Sequence, residues 1–232
     1  MCAGVEGFDG HTSARFMASH GLQGEASEET IRARGNLFTR LVPEPPLSYL
    51  RIREGDVFEI GGHHWVCHAG YGHSPEHISL ICESKGLMIS GDMLLPTIST
   101  NVSVYANEPG ANPLKWFLES VERMQLLPDH LTVLPSHGVP FKGLRDRCSQ
   151  LLRHHEHRLN ELLEALAQQP LSAAQAVGVL FRRKMDGHQM SFAMGEAVAH
   201  LHYLWRKGLI QRVQIDGVWV FSATPDLTAA TL

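Results

Sequence analysis

A chain of 232 residues that is 44% hydrophobic is long enough to bury a sizeable core, either as one large domain or as a medium domain with a small one. A formal charge of -4 without an extended basic run argues against wholesale electrostatic binding of nucleic acid, and the four scattered cysteines (Cys2, Cys67, Cys82, Cys148), with no CxxC pair, argue against a disulfide framework. No stretch offers the roughly 18 consecutive apolar residues of a spanning helix and the first residues lack a basic-then-apolar leader, so the sequence predicts a soluble, cytoplasmic protein without membrane contact.

In chain order, residues 1–24 are rich in Gly and His, with a short helix around Phe16, Met17 and Leu22. Ser27, followed by Glu28 and Glu29, reads as the cap of a helix that stops at Gly35, and residues 41–48 read as a proline-broken loop. From Tyr49 the pattern turns to strands. Residues 56–60 and 64–68 flank Gly61-Gly62, a hairpin signal because tight turns need positive φ. The loop GHSPEH (72–77) precedes an apolar run at 78–82, Ser84-Lys85-Gly86 turns the chain, and 87–89 runs into Ser90-Gly91-Asp92. Asn112-Pro113 opens a helix, with Asn112 as cap, on which Leu114, Phe117, Leu118, Val121 and Met124 keep helical spacing. A short strand at 131–134 then delivers Pro135-Ser136-His137-Gly138. Strand, helix, strand predicts a crossover unit and an α/β layer.

Leu144, Cys148, Leu151, Leu152, His155, Leu159, Leu162, Leu163 and Leu166 form one stripe of a long helix that closes before Pro170. His155 lies on the stripe and reads as core, His154 and His157 face outward, and His63, His64 and His68 read as surface residues of the first hairpin. Beyond Pro170, Ser172 caps a helix to about Phe181 and Ser191 caps another through Val198, Leu201, Leu204 and Trp205 to Gly208. Strands 210–215 and 218–221 then flank Asp216-Gly217, a strong hairpin signal. Helix, helix, ribbon is the pattern of a winged helix at 170–222, followed by a flexible tail at 223–232. Its basic residues (Arg182, Arg183, Lys184, Arg206, Lys207, Arg212) only slightly outnumber its acidic ones, which predicts a packing or substrate-lid module rather than a nucleic-acid reader.

The chemistry concentrates in three short motifs, each at the mouth of a strand: GHSPEH, SGD and PSHG. Imidazole and carboxylate converging from separate loops are ligand types for zinc, or for iron or manganese, and 15 histidines raise the expectation of such a site. Spacing alone leaves plain alternatives: a loop His bonded to a carbonyl for His73, a turn-capping carboxylate for Asp92, a strand-end residue for His137.

In this order, separated by strands and a helix, the three motifs resemble the later motifs of the metallo-β-lactamase superfamily, the glyoxalase II-like hydrolases. The resemblance covers roughly residues 49–169 and implies an α/β (α+β) fold, part of an αβ/βα sandwich over residues 1–169. It also implies that His73 binds one Zn²⁺, that Asp92 bridges two ions and is the catalytic carboxylate, and that His137 binds the second. His77 then falls to a supporting or structural role. The implied activity is hydrolysis of an ester, thioester, amide or phosphodiester in a small-molecule or phosphodiester substrate by a metal-activated hydroxide. The family's first motif, HxHxDH, occurs nowhere in the chain. The sequence therefore corresponds to the later half to two-thirds of such a protein, cut or restarted after that motif, with two protein ligands per ion and, as a consequence, weak metal binding and little activity on its own. Uncovered strand faces predict self-association as a homo-oligomer or low stability. The alternative is a non-catalytic regulatory module that binds nucleic acid or protein through the winged helix.

Overall fold

The structure is a computed structural model, and it describes residues 10–24, 29 and 47–224, the side chain of His188 excepted. The helix expected from Ser27 and most of the loop at 41–48 lie outside the described residues. Residues 47–102 and 113–156 make one compact unit. Residues 10–24, 103–112 and 157–224 make the other.

The first unit is built on a five-stranded sheet in the order β1-β2-β3-β4-β5. β1 (Val57–Ile60) and β2 (His63–Gly70) pair antiparallel across Gly61 and Gly62, whose φ values of 62° and 75° are the left-handed geometry of a tight hairpin turn. β3 (His77–Cys82) returns antiparallel to β2, and β4 (Leu87–Gly91) antiparallel to β3 after a single 3-10 turn at Glu83–Lys85. α2 (Pro113–Met124) then carries the chain over to β5 (Thr132–Pro135), which pairs parallel with β4, so the expected crossover is present. α1 is a ten-residue helix, Gly10–Ser19, in the other unit.

Because β2, β4 and β5 run in the same direction, their C-terminal ends open on one edge of the sheet. That edge is where an open α/β sheet places ligands, and the three motifs follow those three strands. α2 seats the edge. Leu114, Phe117, Val121 and Met124 are fully buried. Tyr71 N–H donates to Ser120 Oγ at 3.0 Å, and Arg123 Nη2 donates to the Ala69 carbonyl at 2.7 Å. The end of β2, where the GHSPEH loop begins, is thereby fixed to a rigid helix. α2 begins at Pro113 as expected, but the buried Asn112 Oδ1 has no hydrogen-bond partner, so the Asn112 side chain is not the cap. His68 is also not a free surface residue. Its side chain is 13% exposed and its Nδ1 lies 3.3 Å from Glu54 Oε1, a partner the alternation of the hairpin could not reveal.

In the second unit β6 (Leu171–Ser172), β8 (Val218–Ala223) and β7 (Ile210–Ile215) form a three-stranded antiparallel sheet in that order. α4 (Ala173–Leu180) starts with the reciprocal capping box of Ser172 and Gln175, and α5 spans Gly187–Arg206. The cap of α5 is Asp186, which accepts from Gln189 N–H at 2.8 Å, so the helix starts earlier than the Ser191 start the sequence suggested. Gly187 at the first helical position costs little, because the cap side chain satisfies the exposed backbone donor. Asp216 (φ 49°) and Gly217 (φ 81°) make the β7–β8 turn. α3 (Leu144–Gln168) belongs to both units, the division falling after Glu156. His155 on this helix is fully buried, while His154 and His157 are exposed.

The fully buried His202 on α5 gives the second unit a pH dependence. Its Nδ1–H donates to the Ala111 carbonyl at 3.0 Å and its Nε2 accepts from Arg212 Nη1 at 3.3 Å, an arrangement that only the neutral ring satisfies. Burial first, and then the Arg212 charge, push its pKa down to about 4 from 6.5 against the opposing bond to Ala111. The unfolded imidazole thus takes up a proton that the folded one refuses. Stability is fully present above pH 6.5 and falls between there and 4, by on the order of 3 kcal/mol for a shift of this size. Urea midpoints measured over this range should decline in the wild type and flatten in His202→Asn.

Candidate metal centre

Each motif presents its side chain for a local reason. Gly72 and His73 follow β2, where the loop turns back toward β3. A bulge between Ile89 and Gly91 bends the end of β4, and with Gly91 at φ 54° it re-aims Asp92. Ser136 N–H donates to the Gly91 carbonyl at 3.1 Å, which prolongs the β4–β5 pairing by one bond and sets His137 beside Asp92.

His73, Asp92 and His137 come together. His73 Nε2 lies 3.7 Å from Asp92 Oδ2, and His137 Nε2 lies 3.5 Å from Asp92 Oδ1. Each carboxylate oxygen thus faces one imidazole. Among the described residues no three His, Cys, Asp or Glu side chains close on a single ion. The arrangement is instead two pairs that share Asp92.

His73 Nδ1 lies 2.8 Å from the Asn101 carbonyl. A carbonyl can only accept, so the proton is on Nδ1 and, in the neutral ring, Nε2 carries a lone pair toward Asp92 Oδ2. Two acceptors facing one another call for a proton or a metal ion between them, and a backbone carbonyl on the far nitrogen is the usual support of a metal-binding His. In character and tautomer the donors therefore fit a carboxylate bridging two ions. In number they fall short of the three protein ligands that a catalytic zinc ordinarily keeps.

His77 lies against the backbone of Asp92. Its Nε2 accepts from Asp92 N–H at 3.2 Å, and a Cβ on Gly91 would come within 2.5 Å of its ring. Burial pushes its pKa below the ordinary imidazole range. Glu76 is paired with Arg51 at 3.1 Å. Two partners were not singled out from the sequence. Ser136 Oγ–H donates to Asp92 Oδ1 at 2.5 Å, and Thr100 Oγ1 lies 3.4 Å from His73 Nδ1. Ser136 had a signal in its place beside His137 in PSHG. Thr100 had none, because residue types and spacing do not report a contact 27 positions away. Ser136→Ala should weaken zinc binding roughly tenfold, the lower end for loss of a supporting bond, with no change in unfolding temperature beyond a degree or two. Chelator competition and thermal unfolding would measure the two.

The model of the metallo-beta-lactamase superfamily matches residues 8–137, and that of the metallo-beta-lactamase-like C-terminal domain matches residues 159–224. The chain belongs to the metallo-beta-lactamase superfamily. It is similar to the crystal structure of a beta-lactamase domain protein from Burkholderia ambifaria, with 47% identity and a TM-score of 0.87 over 92% of this chain and 62% of that one. It is also similar to a metallo-beta-lactamase family protein from Thermus thermophilus, with 30% identity and a TM-score of 0.75 over 91% of this chain and 64% of that one. A further relative is the "Probable metallo-hydrolase YqjP" of Bacillus subtilis (strain 168), 29% identical over 156 residues, which are 66% of this chain and 48% of that protein. The chain spans about half the length of the curated relatives it matches.

Proposed function

We propose that this chain carries the later-motif part of a metal-dependent hydrolase site, with Asp92 between two ions, His73 on one and His137 on the other. The observation that supports it is the pairing of each Asp92 oxygen with one imidazole Nε2, at 3.7 and 3.5 Å, with the His73 proton held away on Nδ1. Zinc suits the donor set best, iron and manganese being the alternatives. When bound, such ions supply Lewis acidity toward water and toward the oxygen of an ester, thioester, amide or phosphodiester. The chain's own residues hold the ligands in place: Asn101 sets the His73 tautomer, Ser136 orients Asp92 Oδ1, and His77 fixes the backbone of Asp92.

With two protein ligands per ion among the described residues, the chain by itself retains metal weakly and turns substrate over slowly. The test is zinc stoichiometry and affinity for the chain and for His73→Ala, with hydrolysis of a panel of the four bond types. Weak binding lost in His73→Ala is the expected result. Tight stoichiometric zinc with robust turnover would overturn the weak-site reading, and zinc retention indifferent to His73 and Asp92 would overturn the site itself.

We read residues 170–222 as a module of the winged-helix type that serves packing. Arg206, Arg212 and Arg182 are already engaged. Arg206 donates to the Gly110 carbonyl at 3.1 Å and lies over the Trp205 ring, Arg212 stacks on Trp205 and Trp219 at 3.7 and 4.4 Å, and Arg182 bonds Glu161 at 3.0 Å. Arginines spent this way favour a structural module over a nucleic-acid face. In the first unit Val57, Ile60 and Val66 are exposed on the β1–β2 hairpin. They favour self-association, which sedimentation across a concentration series would reveal.

A further inference from the structure

One arginine outside the three motifs grips the segment that runs between them. Between Asp92 and Val102 the chain runs as a strap without regular secondary structure. Its start is fixed by Met93 N–H on the Ser90 carbonyl at 3.1 Å and by Ser90 Oγ–H on the Leu94 carbonyl at 2.8 Å. Pro96 in its first half presses on the PSHG loop, since a Cβ on Gly138 would lie 2.7 Å from Pro96 Cγ. Its end supplies the Asn101 carbonyl and the Thr100 hydroxyl at His73 Nδ1. The strap thus continues from Asp92, abuts the loop of His137 and fixes the ring of His73.

Arg147 on α3 anchors the middle of the strap. Its Nε donates to the Leu95 carbonyl at 2.6 Å and its Nη2 to the Ile98 carbonyl at 2.8 Å, while Nη1 reaches Gln150 Oε1 at 3.2 Å. The planar guanidinium is the side chain that can take two carbonyls of one loop in fixed relation, which a lysine ammonium cannot. Its position makes no sense for the helix alone. Arg147 lies in the first turn of α3, where the macrodipole disfavours a cation. A charge placed there against the local preference is placed for what it grips.

We propose that Arg147 is a positioning residue for the metal centre: by clamping Leu95 and Ile98 it holds the strap so that Asn101 keeps the His73 proton on Nδ1 and Nε2 turned toward Asp92. The metal role of His73 rests on the function proposed above, whereas the clamp itself can be tested without metal. In the metal-free chain, long-range ¹H–¹⁵N correlations of the imidazoles should show a single Nδ1–H tautomer for His73. Arg147→Gln should turn it into a mixture and speed amide exchange across residues 93–101 at least tenfold, while the amides of β2 to β4 keep their protection. Arg147→Lys, able to reach one carbonyl, should fall between, and it serves as the deciding variant where Arg147→Gln does not fold. An unchanged tautomer and unchanged exchange in the folded variants would overturn the proposal, as would loss of protection spread evenly over the unit. In zinc titrations of the same proteins Arg147→Gln should bind about 10- to 100-fold more weakly, the range for loss of a group supporting a ligand. A tautomer that loosens while zinc affinity ignores His73→Ala would support the clamp and count against the metal reading alone.

Discussion

Asp92→Asn is expected to lower zinc affinity by more than about 100-fold, beyond the range for supporting residues, and to remove whatever hydrolysis the chain performs. The substitution keeps size and shape but leaves one oxygen where two are needed. With the single acceptor turned to His137 and Ser136, an amide NH₂ faces His73 Nε2; turned the other way, it faces the partners that now sit 3.5 and 2.5 Å from Oδ1. An amide is also neutral, so the negative charge between the two imidazoles is lost. The fold should tolerate the change, since the side chain is about a third exposed at 32% and the bond from Asp92 N–H to His77 does not involve it. Chelator competition with a thermal melt alongside separates the two effects. Wild-type zinc affinity in a folded Asp92→Asn would refute the bridging role.

Gly72→Ala is expected to cost about 2 to 6 kcal/mol, from backbone strain of about 1 to 3 kcal/mol added to overpacking of similar size. Gly72 sits at φ 103°, and a Cβ there would lie 2.5 Å from the Pro113 carbonyl oxygen, 2.6 Å from Phe117 Cβ and 2.8 Å from Phe117 N. Two of these three atoms are helix backbone, which cannot swing aside as a side chain tip can. Phe117 is itself fully buried and lies edge-on to His155, with ring centroids 5.6 Å apart. The glycine of GHSPEH is thus demanded by the start of α2 rather than by His73 beside it. Urea unfolding should show a large drop in midpoint or a failure to fold, and a variant as stable as wild type would mean that α2 is not seated against this loop.

What the sequence disclosed and what it hid follow from the range of the interactions. Gly61-Gly62 and Asp216-Gly217 disclosed their hairpins because positive φ is a property of single residues. The stripe from Leu144 to Leu166 disclosed its helix because burial of one face repeats at a fixed period. The positions of His73, Asp92 and His137 at strand mouths were readable because parallel strands open on one edge, but their pairing on the two oxygens of Asp92 was carried by resemblance and not by spacing. Contacts across long separations left no local trace. His68 finds Glu54, His73 finds Asn101 and Arg147 finds Leu95 only once the sheet has formed. The Asn112 cap failed for a related reason, since a preferred residue type at a helix start is a tendency that burial can override.

The division of the chain into two units has a consequence for how they can be made. Within residues 47–224 the polypeptide passes from one unit to the other three times, the last time inside α3. The excursion at 103–112 supplies the Ala111 carbonyl to His202, the Gly110 carbonyl to Arg206, and Val104 N–H to the Gly195 carbonyl. A fragment starting at residue 157 would therefore carry α4, α5 and the β6-β8-β7 sheet but leave His202 buried with an unanswered donor. No single cut frees either unit intact. During synthesis, residues 103–112 must wait for about 90 more residues to emerge before their partners exist, and the sheet of the second unit waits for β8.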